Sequence, residues 1–376
     1  MKTNINRRSF LRATAGASLL LPAGLLAQQT AAEKSAPKFE VRPLGKTGIR
    51  LPILSMGVMK ADNPNLVKAA LRNGIVHLDT AHVYQKGNNE LMLGKVLKNV
   101  PRDSYVISTK IKPDGDPKSF LARFETSLQR LQLEYVDLFY VHALSSAAEV
   151  LDPQILDLVA KLKKEGRIKH AGVSTHKNES EVIDAAIKSN FYELVLTAYN
   201  FKKPAALKAA VARAAAAGLG IVAMKTMAGA KNINIPAALK WALQDKNVST
   251  AIPGFTDFDQ LDVCLNTAAN LAYTPDEKTF IAQSATLDTL YCQQCDQCSG
   301  QCPQNLPIPD LMRAYMYAHG YRHPGLAKET LADYNIPDNP CANCTTCTVQ
   351  CASNFDIAAK VKDITRIQQV PDEFLV

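Results

Sequence analysis

The sequence lacks a glycine-rich phosphate loop: neither G-x-G-x-x-G nor G-x-x-x-x-G-K occurs in its 376 residues. A doubly wound nucleotide-binding sheet usually carries such a loop after its first strand. Here that turn reads Ser55-Met56-Gly57-Val58-Met59. No basic stripe with interleaved aromatics is present, which argues against nucleic acid as a partner. Beyond residue 27 no apolar run is long enough to span a bilayer, so no membrane span is expected in a mature chain. No flavin-binding motif is visible either.

Positive charge is less abundant than it looks. The formal net charge is +8, but Lys2, Arg7, Arg8 and Arg12 precede residue 33 without any acid among them, and setting those four aside leaves +4. Asn6-Arg7-Arg8-Ser9-Phe10-Leu11-Arg12 followed by the apolar Ala13–Ala27 reads as a twin-arginine signal. The expectation is a signal over residues 1–32, a twin-arginine translocase as partner and a periplasmic destination. That route moves folded proteins, which suits a cofactor inserted before export.

After a short polar linker, residues 39–51 read as a hairpin turning at Gly45-Lys46-Thr47-Gly48. Eight strand–helix units follow. The strands are expected over 52–57, 75–79, 105–111, 136–142, 168–174, 194–199, 220–225 and 248–253. Their helices are expected over 65–73, 88–98, 117–131, 152–165, 179–189, 204–217, 236–243 and 257–269. Eight such units in about 220 residues describe an α/β protein built on a (β/α)8 TIM barrel, placed at residues 39–272.

Residues 273–376 break the alternation. Helices are expected over 276–290, 308–319 and 357–367, with a loop-rich stretch over 324–340. Two cysteine runs sit between them: Cys292, Cys295, Cys298 and Cys302, then Cys341, Cys344, Cys347 and Cys351. Each is C-x2-C-x2-C-x3-C. Three closely spaced thiolates converge on one cubane, and in two-cluster ferredoxins the fourth cysteine ligates the other cluster. The expected sets are therefore Cys292, Cys295, Cys298 with Cys351, and Cys341, Cys344, Cys347 with Cys302. Each would hold a [4Fe–4S] cluster in a small, mainly helical, ferredoxin-like domain. Zinc usually takes two separated pairs, and disulfides strain at two-residue spacings. Cys264, on the last barrel helix, reads as a core residue.

In such a barrel, chemistry sits at the C-terminal ends of the strands. Asp79, Tyr84, Lys110 and His142 fall there. A phenol holds its proton at neutral pH, and a nearby ammonium is expected to lower its pKa. Asp79 would hold Lys110, and His142 would position a carbonyl oxygen. His82 and His176 lie in the same loops and stay open between pocket and surface roles.

These residues, with Arg42-Pro43-Leu44-Gly45-Lys46-Thr47-Gly48, Asn89-Glu90 and Gly94, resemble the aldo-keto reductase family over roughly residues 41–270. The tail resembles the ferredoxin-like extension of one branch. The resemblance implies Asp79, Tyr84, Lys110 and His142 as a catalytic tetrad and NADP or NAD as cofactor. It implies Gly57, Met59, Ser174 and Tyr199 along the nicotinamide, and Gly254, Thr256, Gln260 and Asn266 at the phosphate and adenosine end. Lys225 is a further cofactor candidate, since 254–258 has no Arg or Lys. The implied activity is interconversion of a small carbonyl or alcohol, including sugars; the one-electron clusters add a redox protein as an expected further partner. The alternative is a non-catalytic iron–sulfur carrier using the barrel as a docking platform.

Overall fold

The computed structural model describes residues 39–375, apart from 228, 230, 231 and 285–288, and all of these belong to one compact unit, Ala36–Val376. The twin-arginine stretch lies outside the described residues.

Two short strands, β1 (Val41–Pro43) and β2 (Arg50–Pro52), pair antiparallel into the expected hairpin. Gly45 stands at its turn with φ +55, and a Cβ there would meet the Gly220 backbone nitrogen at 2.3 Å, so only glycine fits. Leu44 and Leu51 then plug the barrel floor against Leu138, Tyr140, Leu194, Leu196 and Val222. Arg42 secures the plug by donating to the carbonyls of Leu243, Val248 and Asp245 at 2.6, 2.7 and 2.9 Å.

The barrel strands are β3 (Met56–Gly57), β4 (His77–Asp79), β5 (Val106–Ile111), β6 (Val136–Val141), β7 (Ile168–Thr175), β8 (Leu194–Ala198), β9 (Gly220–Met224) and β10 (Thr250–Ala251). All pair in parallel in sequence order, and a parallel bridge between Leu54 and Ala251 closes the ring. The first and last strands are shorter than the sequence pattern predicts. Near them the ring is closed by single hydrogen bonds, Ser55 N to Ala251 O and Gly57 N to Pro253 O, rather than by long ladders.

The helices α1 (Pro64–Arg72), α2 (Asn88–Leu97), α3 (Pro117–Leu131), α4 (Ala147–Val150), α5 (Pro153–Lys164), α6 (Glu179–Ser189), α7 (Ala205–Ala217), α8 (Ile235–Gln244) and α9 (Phe258–Ala269) form the outer layer. Several start where a side chain caps the backbone just before proline, as Asp116 and Asp152 do for α3 and α5. Strand alternation divides the core. Residues such as Phe139 and Val141 face the helices, whereas Leu138 and Tyr140 fill the lumen.

Helix α10 (Pro275–Gln283) packs on α8 through a buried ion pair, Lys240 Nζ to Glu277 Oε2 at 2.8 Å. Residues 285–288 of the expected helix lie outside the described residues, and beyond them Leu290 N donates to Gly229 O at 2.8 Å. Helix α11 (Ile308–Tyr315) widens into a π turn over Met316–Gly320. The stretch read as loop-rich contains α12 (Pro324–Ala332); Pro324-Gly325 looks like a breaker, but Pro is at the first turn, where it is tolerated, and the His323 side chain caps Leu326 N. Helix α13 (Ile357–Thr365) completes a second hydrophobic cluster with Ile308, Leu311, Met312 and Leu331. No helix among the described residues is long and apolar enough to cross a membrane.

Candidate active site and cysteine sites

Strand parity decides which side chains meet. Asp79, Ser108, Lys110 and Tyr140 share the inward parity of β4, β5 and β6, so they project into the lumen at or near its C-terminal end. Lys110 Nζ lies 2.6 Å from Asp79 Oδ2 and 2.6 Å from the Thr80 carbonyl. Asp79 Oδ1 accepts from Ser108 Oγ at 2.6 Å, and Ser108 Oγ sits 3.1 Å from His77 Nε2. Both members of the ion pair are buried.

Tyr84 follows β4 on a tight turn in which Gln85 and Lys86 take positive φ. Its Oη is 3.5 Å from Lys110 Nζ, and its ring stands edge-on to His142 with centroids 6.3 Å apart. The structure thus brings Asp79, Tyr84, Lys110 and His142 to one point. One expectation is corrected: the ammonium does not lower the phenol. Burial, with the Asp79 carboxylate and the neighbouring Tyr317 and Tyr321, holds Tyr84 well above the ordinary value, while Lys110 makes its closest contacts to Asp79 and Thr80. Burial, followed by Lys110, Lys112 and Arg313, pushes His142 well below its ordinary value. At neutral pH the pocket therefore holds a protonated phenol and a neutral imidazole.

The remaining candidates divide. Ser174 Oγ accepts from Ala143 N at 2.9 Å beside His142. Gly57 hydrogen-bonds Pro253 O, and the Met59 carbonyl accepts from Gln85. Tyr199 lies in the outer layer, donating to Asp245 Oδ2 at 2.5 Å and packing on Trp241. Gly254, Thr256 and Gln260 are exposed around the start of α9, where the Asp257 carboxylate caps Gln260 N, whereas Asn266 is exposed more than two turns further along the helix. An open helix start suits a phosphate, but a carboxylate already there disfavours an added 2′-phosphate. His82 hydrogen-bonds Ser127 and His176 is part of the covered pocket. Cys264 is core, its thiol pushed up to about 12 by burial.

The region after the barrel lies over this catalytic face. Lys203 Nζ donates to Gln293 O at 2.8 Å, and Lys177 Nζ pairs with Asp296 at 3.2 Å. Lys60 sits 4.9 Å above the Tyr321 ring, and Lys225 5.9 Å above Tyr317. Lys112 pairs with Asp333. Sequence reasoning missed Arg313, Tyr317 and Tyr321 as pocket residues; the only signal was the density of tyrosines at 315, 317 and 321.

The cysteines gather in crossed sets. Cys292, Cys295, Cys298 and Cys351 line one small cavity. Burial raises the Cys298 thiol to about 11, with Cys292, Cys295 and Cys351 pushing the same way. Burial likewise raises Cys341, with Cys344, Cys347 and Cys302 as its thiol neighbours. Cys292 Sγ accepts from Gln294 N and Nε2 at 3.3 and 3.4 Å, and Cys351 Sγ from Ser353 N at 3.4 Å. The fourth cysteines do not start helices: a turn intervenes in both runs, closed by Asn305 N to Cys302 O and Asn354 N to Cys351 O, each at 2.9 Å. Among the described residues no three or more His, Cys, Asp or Glu side chains close on a single metal ion. A cubane has one iron per thiolate and holds its thiolates farther apart. Four thiols on one cavity with N–H groups aimed at sulfur fit that demand.

The closed parallel barrel thus gathers an acid, a base and a phenol at its C-terminal face. Residues 50–232 match the profile described as Aldo/keto reductase family. A glyoxal reductase of Bacillus subtilis (strain 168) is 36% identical over 149 residues, 38% of this chain and 52% of that protein. An L-galactose dehydrogenase of Arabidopsis thaliana is 32% identical over 155 residues, 36% of this chain and 49% of that protein. The chain spans about half the length of these curated relatives. The structure of an aldo-keto reductase of Bacillus halodurans in its holo form superposes with a TM-score of 0.57 at 22% identity, covering 68% of this chain and 100% of that one. That likeness concerns the fold alone.

Proposed function

We propose that the protein is an exported oxidoreductase that interconverts a small carbonyl and its alcohol, in two domains, a barrel over residues 39–272 and a two-cluster region over 273–376. The observation that carries this is the convergence of Tyr84, Lys110, Asp79 and His142 at the mouth of a lumen. Bound NADH or NADPH would supply a hydride. In reduction Tyr84 Oη gives its proton to the substrate oxygen as the carbon receives that hydride. Lys110 then faces the resulting phenolate, which it stabilises at 3.5 Å. Asp79 keeps Lys110 charged and placed, and His142, neutral and edge-on to Tyr84, donates to the carbonyl oxygen. The Asp257 carboxylate at the start of α9 favours the dinucleotide without a 2′-phosphate.

The two crossed thiol sets are proposed to hold two [4Fe–4S] clusters. The cavity lined by Cys292, Cys295, Cys298 and Cys351 and its N–H donors support this. Export by the twin-arginine translocase to the periplasm rests on Asn6–Arg12 and Ala13–Ala27. The relatives' printed activities, on glyoxal and on L-galactose, support a small carbonyl or sugar as substrate.

The test is protein purified with its signal intact, assayed for bound dinucleotide by mass, for clusters by absorbance and for carbonyl reduction. Tyr84→Phe should lose at least ~100-fold in turnover while keeping its clusters. Unchanged turnover would sink the tetrad. A second reading, an iron–sulfur carrier for a redox partner, draws on the cover that Tyr317 and Tyr321 place over Tyr84. Clusters without dinucleotide or turnover would favour it.

A further inference from the structure

Among the basic residues gathered over the tetrad, one makes no close ion pair. Around His142 and His176 stand Lys110, Lys112, Lys203, Lys225 and Arg313. Lys110 pairs with Asp79, Lys112 with Asp333, Lys203 with Glu179 and Arg313 with Asp310. Lys225 forms no ion pair within 4 Å among the described residues; Glu179, already paired with Lys203, and Cys292 act on it from farther off. Burial beside Arg313 and Lys203 holds it down at about 7, and its amine faces the Tyr317 ring. The His176 Nδ1 beside it is buried and has no hydrogen-bond partner. A buried amine held down by its surroundings and an orphaned ring nitrogen together form an incomplete anion site, because an arriving anion would hold the amine charged and accept from the ring.

Lys225 is also held in this position at a cost. Its φ is +54, a conformation that non-glycine residues adopt rarely. The Asn200 side chain fixes it by donating to the Lys225 carbonyl at 2.9 Å. The residue follows β9, at the same end of the barrel as the tetrad. Arg313 approaches from α11 on the covering side, and its 2.6 Å bond to Asp310 engages one guanidinium nitrogen. Barrel and cover thus each contribute a cation.

We infer that the substrate is an anionic carbonyl compound, an oxo acid or sugar acid, whose carboxylate is received by Lys225 and Arg313 with His176 beside them. The inference rests on the proposed reductase reading. A carboxylate supplies the counterion that Lys225 lacks and accepts from the His176 ring, and so orients the carbonyl toward Tyr84 and His142. The neighbourhood of Cys292, whose charge also acts on Lys225, supplies the competing explanation that this lysine serves the cysteine site instead.

The test uses the cluster-loaded full chain and two matched pairs, glyoxylate against glycolaldehyde and glucuronate against glucose. The wild type should favour the acid of a pair at least tenfold in kcat/KM. Lys225→Met should erase that preference, chiefly through KM, and Lys225→Arg should restore part of it. No preference in the wild type would overturn the inference. So would a Lys225→Met protein with altered cluster potential and intact preference. If no carbonyl is turned over at all, the reductase reading fails, and calorimetric binding of glyoxylate still decides the site. Binding weakened tenfold or more by Lys225→Met upholds it, and equal binding or none overturns it.

Discussion

Lys110 Nζ stands 2.6 Å from Asp79 Oδ2, with both side chains shut from solvent at the end of neighbouring strands. Removing one partner leaves an uncompensated buried charge, a loss of about 3–5 kcal/mol. Lys110→Met should therefore lower the urea midpoint far more than the double variant Asp79→Asn with Lys110→Met. Carbonyl turnover should vanish in both. Equal midpoints for single and double variants would refute the coupling.

Buried histidines predict acid sensitivity. His77 is lowered to about 4, chiefly by burial, against 6.5 for an exposed imidazole. Between those values the unfolded chain binds the proton and the folded one does not. Stability from the neutral ring is thus intact above pH 6.5 and lost as pH falls toward 4, by about 3 kcal/mol. His82, lowered to about 4 and partly exposed, acts in the same direction. Urea midpoints at pH 7 and 4.5 should differ less in His77→Gln than in the wild type.

Gly94 lies inside α2, where alanine would ordinarily gain ~0.5–1 kcal/mol in helix propensity. Here a Cβ would sit 2.3 Å from the Arg130 carbonyl on α3. The clash exceeds the gain, so Gly94→Ala should destabilise by about 1–3 kcal/mol. Thermal unfolding of the two proteins checks the sign.

Gln294 places its backbone N–H and Nε2 on Cys292 Sγ, and its Nε2 also reaches Pro309 O at 3.0 Å. Hydrogen bonds to thiolate sulfur stabilise the reduced cluster. If the proposed clusters are bound, Gln294→Leu should shift the reduction potential of the one at Cys292 negative and leave the other in place. An EPR-monitored redox titration that finds both potentials unmoved would count against this donor.

Much of this was legible in the chain. Period-2 and period-3.6 patterning located the barrel strands to within a few residues, and the C-x2-C-x2-C-x3-C spacing named every cysteine of both sets. The tetrad was legible because each member sits at or just past a strand end. What failed depended on partners distant in sequence. The shortness of β3 and β10 follows from how the ring closes at Leu54 and Ala251. The direction of the Tyr84 shift follows from burial beneath Tyr317 and Tyr321, more than 230 residues away along the chain.

The sequence by itself determined the class of fold, which side chains stand at the strand ends and the cysteine spacing, because these are local consequences of side-chain period and residue order. Only the tertiary structure decided that the cysteine-bearing region lies on the catalytic face. It also brought Lys225 and Arg313 from separate elements close enough to act on each other, and gave only Arg313 a close carboxylate. Burial and electrostatic environment are properties of the packed surface, and no stretch of sequence carries them alone.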